Sequence, residues 1–327
     1  MTSADGFQLY AGDGSTVAQR STRLPLLETP AALDDPAGYM AEEGLRDAVN
    51  VALALGQPLL LTGEPGTGKT QLAGSVANEL GLPAPLVYNT KSTSTARDLF
   101  YQYDALRHFH DAQFRPGETT ADQYISYEAL GLAILLAMEP GSASALLPEQ
   151  LRGKGPARSV VLLDEIDKAP RDLPNDVLNE IEEMSFTVRE TGRRFAADRR
   201  YRPILILTSN SEKTLPDAFL RRCVFYHLTF PSRERLIQIV QRRLGGSTQL
   251  SPAMVEQAVR HFEKIRELGL RKRPSTAEFL AWLRVLDRLH IDLSDLKPGQ
   301  REAIAFSYSI LAKSQEDLRY LQEQLPG

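Results

Sequence analysis

The chain has 327 residues, 42% of them hydrophobic, with 38 basic and 42 acidic side chains and a formal charge of -4. That length buries a full core with room for a second, smaller domain, and the weak acidic balance offers no global field for nucleic acid. The single cysteine, Cys223, excludes an internal disulfide framework; the start MTSADGFQLY lacks the basic and apolar regions of a secretion signal. The longest apolar runs, near Leu130–Met138 and Val160–Leu163, fall short of the roughly 20 residues of a membrane helix, so the expectation is a cytoplasmic protein without membrane insertion.

Residues 1–36, rich in Gly, Ser, Thr, Asp and Pro, read as an irregular lead-in. Met40, Leu45, Val49 and Leu53 recur at helical spacing and predict a helix over 40–55, closed by Gly56 and Pro58. Leu59–Leu61 is a short buried strand, followed by a Gly-rich loop and a helix over 69–80 that Gly81 and Pro83 stop. Further strands are expected at 85–89, 159–163, 203–208 and 224–228. Helices fit Leu130–Met138 and Leu173–Met184, and Thr191-Gly192 marks a hairpin within 186–201. Phe100–Gln123 has no decidable pattern. It falls in an insertion at about 98–126, and 141–156 reads as loop. Beyond Pro231 the pattern is helical: 232–244, 252–268, 276–289 and 298–312, then a charged tail. The expected fold is α/β: a five-stranded parallel sheet domain over 37–231, followed by a small all-helical lid domain over 232–327.

Three constellations carry chemistry. Gly63-Glu64-Pro65-Gly66-Thr67-Gly68-Lys69-Thr70 fits G-x-x-x-x-G-K-[ST] between a predicted strand and a predicted helix. Its glycines let several N–H groups face one phosphate, and the helix that Lys69, Thr70 and Gln71 open presents its positive end. Lys69 suits the β- and γ-phosphates, and Thr70 suits Mg²⁺. Val160–Leu163 ends in Asp164 and Glu165, placing two carboxylates at the edge of a parallel sheet where ligands bind. Asp164 suits Mg²⁺ and Glu165 suits a base that polarises water. Ile204–Leu207 runs into Thr208, Ser209 and Asn210, whose amide suits the γ-phosphate and the attacking water. His108, His110 and Asp111 would face one way on a strand, but no further His or Cys cluster accompanies them, so no metal site is expected there.

The ordered set GEPGTGKT, VVLLDEID and ILILTSN, followed by Leu215-Pro216-Asp217-Ala218-Phe219-Leu220-Arg221-Arg222, resembles the AAA+ ATPases. DEIDKAP at 164–170, the run Asn179–Glu183 and the following hairpin resemble the MoxR branch. The resemblance covers about residues 40–290. It implies ATP and Mg²⁺ as cofactors, Asn210 as the residue sensing the γ-phosphate, and Arg222, with Arg221 as the adjacent candidate, as a finger completing a neighbour's site. It therefore implies a homo-oligomer, as a hexameric ring. Relatives carry a lid arginine near the start of a helix; here Ala277 stands at that point, and Arg273 or Arg271 is the substitute. Asn89, at the end of the second strand, matches a polar residue that restrains the catalytic glutamate. The resemblance also implies a chaperone-like remodeller of a protein client, with a partner bearing a von Willebrand factor A domain. Two rivals stay open. One is a nucleic-acid motor, mildly supported by the hairpin's Arg189, Arg193 and Arg194 and by Arg199 and Arg200. The other is an ATP-dependent switch subunit of a bacterial defence or signalling complex.

Overall fold

A computed structural model describes residues 35–114, 118–139, 143–211, 215–245, 250–293, 296 and 300–325. The lead-in over 1–36 lies outside them except for its last two residues. The chain divides into two compact units: residues 41–63 and 69–228 in one, residues 35–40, 64–68 and 229–325 in the other.

The first unit opens with α1 (Glu43–Leu55), which turns its buried Leu45 and Ala52 inward and ends on left-handed Gly56. Then come β1 (Leu59–Gly63), α2 (Lys69–Glu79) and β2 (Leu86–Asn89). An inserted section holds β3 (Tyr101–Tyr103), α3 (Ala105–Phe114), β4 (Ile125–Tyr127) and α4 (Ala129–Leu136). β5 (Val160–Asp164), the short α5 (Leu173–Asp176) and α6 (Leu178–Glu183), and β6 (Ser185–Val188) with β7 (Arg193–Ala196) follow. β8 (Ile204–Thr208), α7 (Asp217–Leu220) and β9 (Val224–Leu228) complete it.

Five strands form one parallel sheet in the order β2-β5-β8-β1-β9, as expected from the sequence. β1 is buried along its whole length, as are the first four residues of β5 and the last four of β8. Their unbroken apolar runs are what a strand covered on both faces requires. β9, at an edge, alternates burial instead. Leu163 pairs with Leu207, and Asn89 pairs with Asp164. The C-terminal ends of β2, β5 and β8 therefore lie level, with Asn89, Asp164 and Thr208 along one edge.

The segment without a decidable pattern contains β3, and β4 lies just beyond it; they form an antiparallel ribbon flanking α3. The expected hairpin is β6–β7. Ribbon and hairpin share an aromatic cluster: Phe100 stacks on Phe186 at 5.2 Å, and Tyr127 meets Phe195 edge-on at 5.9 Å. His108 and His110 sit on α3, where residues two apart do not share a face. His108 stacks on Tyr124 at 4.6 Å, and its ring bonds the Tyr103 hydroxyl. The predicted single helix over 173–184 is two, with Val177 (φ -103°, ψ 0°) as the residue between them.

The second unit is helical: α8 (Arg233–Leu244), α9 (Pro252–Glu267), α10 (Thr276–Arg288), α11 (Gln300–Ser307) and α12 (Gln315–Gln324). Serines 232, 251, 275 and 314 cap α8, α9, α10 and α12, each accepting a backbone N–H of the first turn. The charged tail is thus a helix, and its Leu321 is buried. Pro298, where a helix start was expected, lies outside the described residues. Phe262, Phe279, Trp282 and Tyr308 fill the core of this unit, and the Trp282 indole N–H donates to Ser307 Oγ at 2.8 Å. Among the described residues no helix is long and apolar enough to cross a membrane.

Candidate functional site

Within the sheet unit, the strand ends and the start of α2 converge. Lys69 is 7% exposed. Its ammonium donates to the Gly63 carbonyl at 2.8 Å and to Asn210 Oδ1 at 3.0 Å. Burial pushes its pKa down, and the negative charges of Asp164, Asp167 and Glu165 push it partly back. Thr70 Oγ1 donates to the Asp164 carboxylate at 3.1 and 3.3 Å. Asn210, one strand over, is fixed by its backbone N–H, which donates to Asp167 Oδ1 at 3.2 Å. The structure thus brings Lys69, Thr70, Asp164, Glu165 and Asn210 into one network. Gln71 lies on the first turn of α2, and Asn89 is exposed at the end of β2, level with Asp164.

Three residues that the sequence reading did not single out belong to this network. Thr208, the last residue of β8, is 1% exposed. Its hydroxyl donates to Asp164 Oδ1 at 2.5 Å and accepts the Glu165 backbone N–H at 2.9 Å. Glu165 has φ 55° and ψ 50°, a left-handed conformation that side-chain-bearing residues avoid. The Thr208 hydroxyl supports that backbone. Lys168, three residues on, forms an ion pair with the Glu165 carboxylate. That bond raises the Lys168 pKa. Asp167 is the acceptor that holds Asn210. An apolar strand ending in Thr, and the i,i+3 spacing of Glu165 and Lys168, are the only sequence signals these residues left.

The loop residues Glu64, Pro65, Gly66, Thr67 and Gly68 group with the helical unit. Gly66 has φ +73°, and a Cβ there would stand 2.3 Å from Ser275 Cβ, so neither the dihedral nor the space admits a side chain. Thr67 Oγ1 donates to the Glu64 carbonyl at 2.9 Å. The Glu64 carboxylate receives Arg266 Nη2 at 2.7 Å, while Arg273 stands at 3.9 Å and is 60% exposed. Arg271 points elsewhere, to Glu316 at 2.7 Å. Arg266 was not visible as special in the sequence, where it sits in a charged helix.

Arg222 follows α7 and is not part of the Lys69 network. Its guanidinium is held by the Glu182 carboxylate and the Ala218 carbonyl. Arg221 is exposed beside it. The arginines of the hairpin region are largely spoken for: Arg193 pairs with Asp122, Arg194 with Glu183, and Arg200 with Asp198. Cys223 is shielded, and burial pushes its thiol pKa up to about 12, so it is no nucleophile.

Residues 58–223, just over half of the chain, match the family described as AAA domain (dynein-related subfamily). RuvB-like helicase 1 of Drosophila pseudoobscura pseudoobscura and that of Drosophila melanogaster are each 39% identical over 69 residues. The match spans 19% of this chain and only 15% of those curated relatives. Among solved structures, one point mutant of Thermotoga maritima RuvB aligns with TM-score 0.46 and 16% identity, over 89% of this chain and 73% of that one. A second mutant gives 0.43 and 15%, over 88% and 70%. On the family match, with its phosphate-loop segment and sheet edge inside the matched residues, the chain belongs to the AAA domain family, dynein-related subfamily.

Proposed function

We propose that the chain is a MoxR-like AAA+ ATPase that hydrolyses ATP in an oligomeric ring and remodels a protein client. The observation that carries this reading is the network joining Lys69, Thr70, Asp164, Thr208, Glu165 and Asn210. In it a buried ammonium, a hydroxyl–carboxylate pair and a second, adjacent carboxylate lie at one sheet edge. Lys69 would exchange its bonds to Gly63 and Asn210 for phosphate oxygens. Thr70 and Asp164 are a hard oxygen pair of the kind Mg²⁺ takes, since that ion keeps several waters and needs few protein donors. Glu165 would orient and polarise the attacking water, and Asn210 would hold the γ-phosphate. Arg222, or Arg221 beside it, would reach the site of the next subunit in a hexameric ring, stabilising charge as phosphate departs. Arg273, 3.9 Å from Glu64, is the lid candidate for sensing nucleotide. A von Willebrand factor A domain partner and a cytoplasmic setting complete the reading.

A mixing experiment tests it. Lys69→Ala and Arg222→Ala subunits should each be inactive alone and regain ATPase activity together, because each supplies what the other lacks. Normal hydrolysis by Arg222→Ala alone, with no gain on mixing, would refute the shared site. The names of the RuvB-like helicases favour a second reading, a DNA motor. The carboxylate partners of Arg193, Arg194 and Arg200 weigh against it. DNA stimulation of the ATPase with a steep salt dependence would reverse that preference.

A further inference from the structure

We propose that Arg266 and Glu64 form a positioning pair that pre-sets the phosphate loop for nucleotide. The inference rests on the reading of residues 63–70 as the phosphate site. Arg266 is unlike the other arginine of α9. Arg260 pairs with Glu256 on an open surface, whereas the Arg266 side chain is 11% exposed. Its guanidinium lies 3.5 Å from the Phe230 ring centroid. Phe230 in turn packs on Phe262, 6.1 Å away in the helical core. One edge of the guanidinium donates to the Pro274 carbonyl, just before the α10 cap, and to Glu64 Oε2. Stacking fixes the plane and the carbonyl fixes its rotation, so the remaining donors have one direction to point.

Glu64 is where that direction leads. It is the second residue of a loop whose glycines at 66 and 68 have φ of +73° and +93°. Such a backbone loses much freedom when it is ordered. The Glu64 carbonyl also accepts Thr67 Oγ1, and the backbone at Gly66 lies against Ser275. The loop is therefore anchored at Glu64, Gly66 and Thr67, and Glu64 supplies the charged anchor. A loop released from that anchor spends less time in the binding shape, and apparent affinity falls by the fraction lost. Both ATP and ADP would feel this, because the anchor acts on the loop and not on the γ-phosphate.

Titration calorimetry with ADP and with a non-hydrolysable ATP analogue tests the pair, using Glu64→Gln, Arg266→Gln and the double variant in the full chain. Each single change should weaken both nucleotides about tenfold, and the double variant should be no weaker than the singles. Arg266→Lys, which keeps charge without the planar fork, should lose about threefold. Affinity within twofold of wild type in Glu64→Gln, or losses that multiply in the double variant, would overturn the pairing. Glu64 is 44% exposed, so its variant reports even where Arg266→Gln fails to fold. Lys69→Ala is the separate control: unchanged ADP binding there would overturn the phosphate-site reading itself.

Discussion

Thr208→Val removes one hydroxyl from the centre of the site and keeps the shape of the side chain. In the wild-type protein that hydroxyl donates to the Asp164 carboxylate and accepts the Glu165 N–H, in a position 1% exposed. A hydrogen bond to an ionised group contributes about 1.5–3 kcal/mol, and an orphaned buried N–H costs about 1–3 kcal/mol. The valine no longer buries a hydroxyl, which returns roughly 1–3 kcal/mol. The net loss is about 2 kcal/mol. In a protein of this size that lowers the melting temperature by roughly 3 °C. The same bond holds Glu165 in its left-handed conformation, so its loss also displaces the carboxylate proposed to polarise water. If the whole 2 kcal/mol reappears in the barrier, kcat falls about thirtyfold. The assay is a urea titration beside steady-state ATPase kinetics for wild type, Thr208→Val and Thr208→Ser. Serine keeps the hydroxyl and should recover most of both losses. Wild-type kcat and an unshifted urea midpoint in Thr208→Val would refute the role drawn from these two bonds.

Two further outcomes follow from charged groups. His261 is pressed between Trp282 and Tyr308, at 5.6 and 5.8 Å, and burial lowers its pKa to about 4. The folded state therefore leaves it neutral while the unfolded chain protonates near 6.5. The contribution is present in full above pH 6.5 and is lost as the pH falls toward 4, amounting to at most about 3 kcal/mol. His261→Gln should flatten that loss in urea midpoints compared at pH 7 and 4.5; an acid loss equal to that of wild type would show that other groups dominate. Lys168→Ala frees the Glu165 carboxylate from its ion pair. Because the pair is solvent-exposed, the expected rise in basal kcat is small, about threefold at low salt and vanishing at high salt. A fall in kcat would instead make Lys168 part of the reactive arrangement.

What the sequence made legible here is what the chain builds locally. The phosphate loop keeps its glycines and lysine within eight residues, and β1, β5 and β8 carry runs of apolar residues because both faces of the sheet are covered. The insertion at 98–126 was not legible, because Phe100 and Tyr101 at its start find partners beyond residue 185. Phe100 rests on Phe186, and the Tyr101 hydroxyl donates to Glu190 at 2.9 Å. No window along the chain contains both halves of that pattern. The site shows the same division at finer scale. Asn210 is conspicuous as the first amide beyond an apolar run, yet the residue at the end of β8 that bonds Asp164 is Thr208, two places earlier. Only the register decides this: Leu163 stands beside Leu207, so the next residues, Asp164 and Thr208, must meet. Shifting β8 by one residue would turn its side chains to the opposite face and leave both Asp164 and the Glu165 N–H without that hydroxyl. The chemistry proposed for Glu165 thus depends on how two buried strands align. That alignment is fixed by the apolar residues of β5 and β8, which have no chemistry of their own.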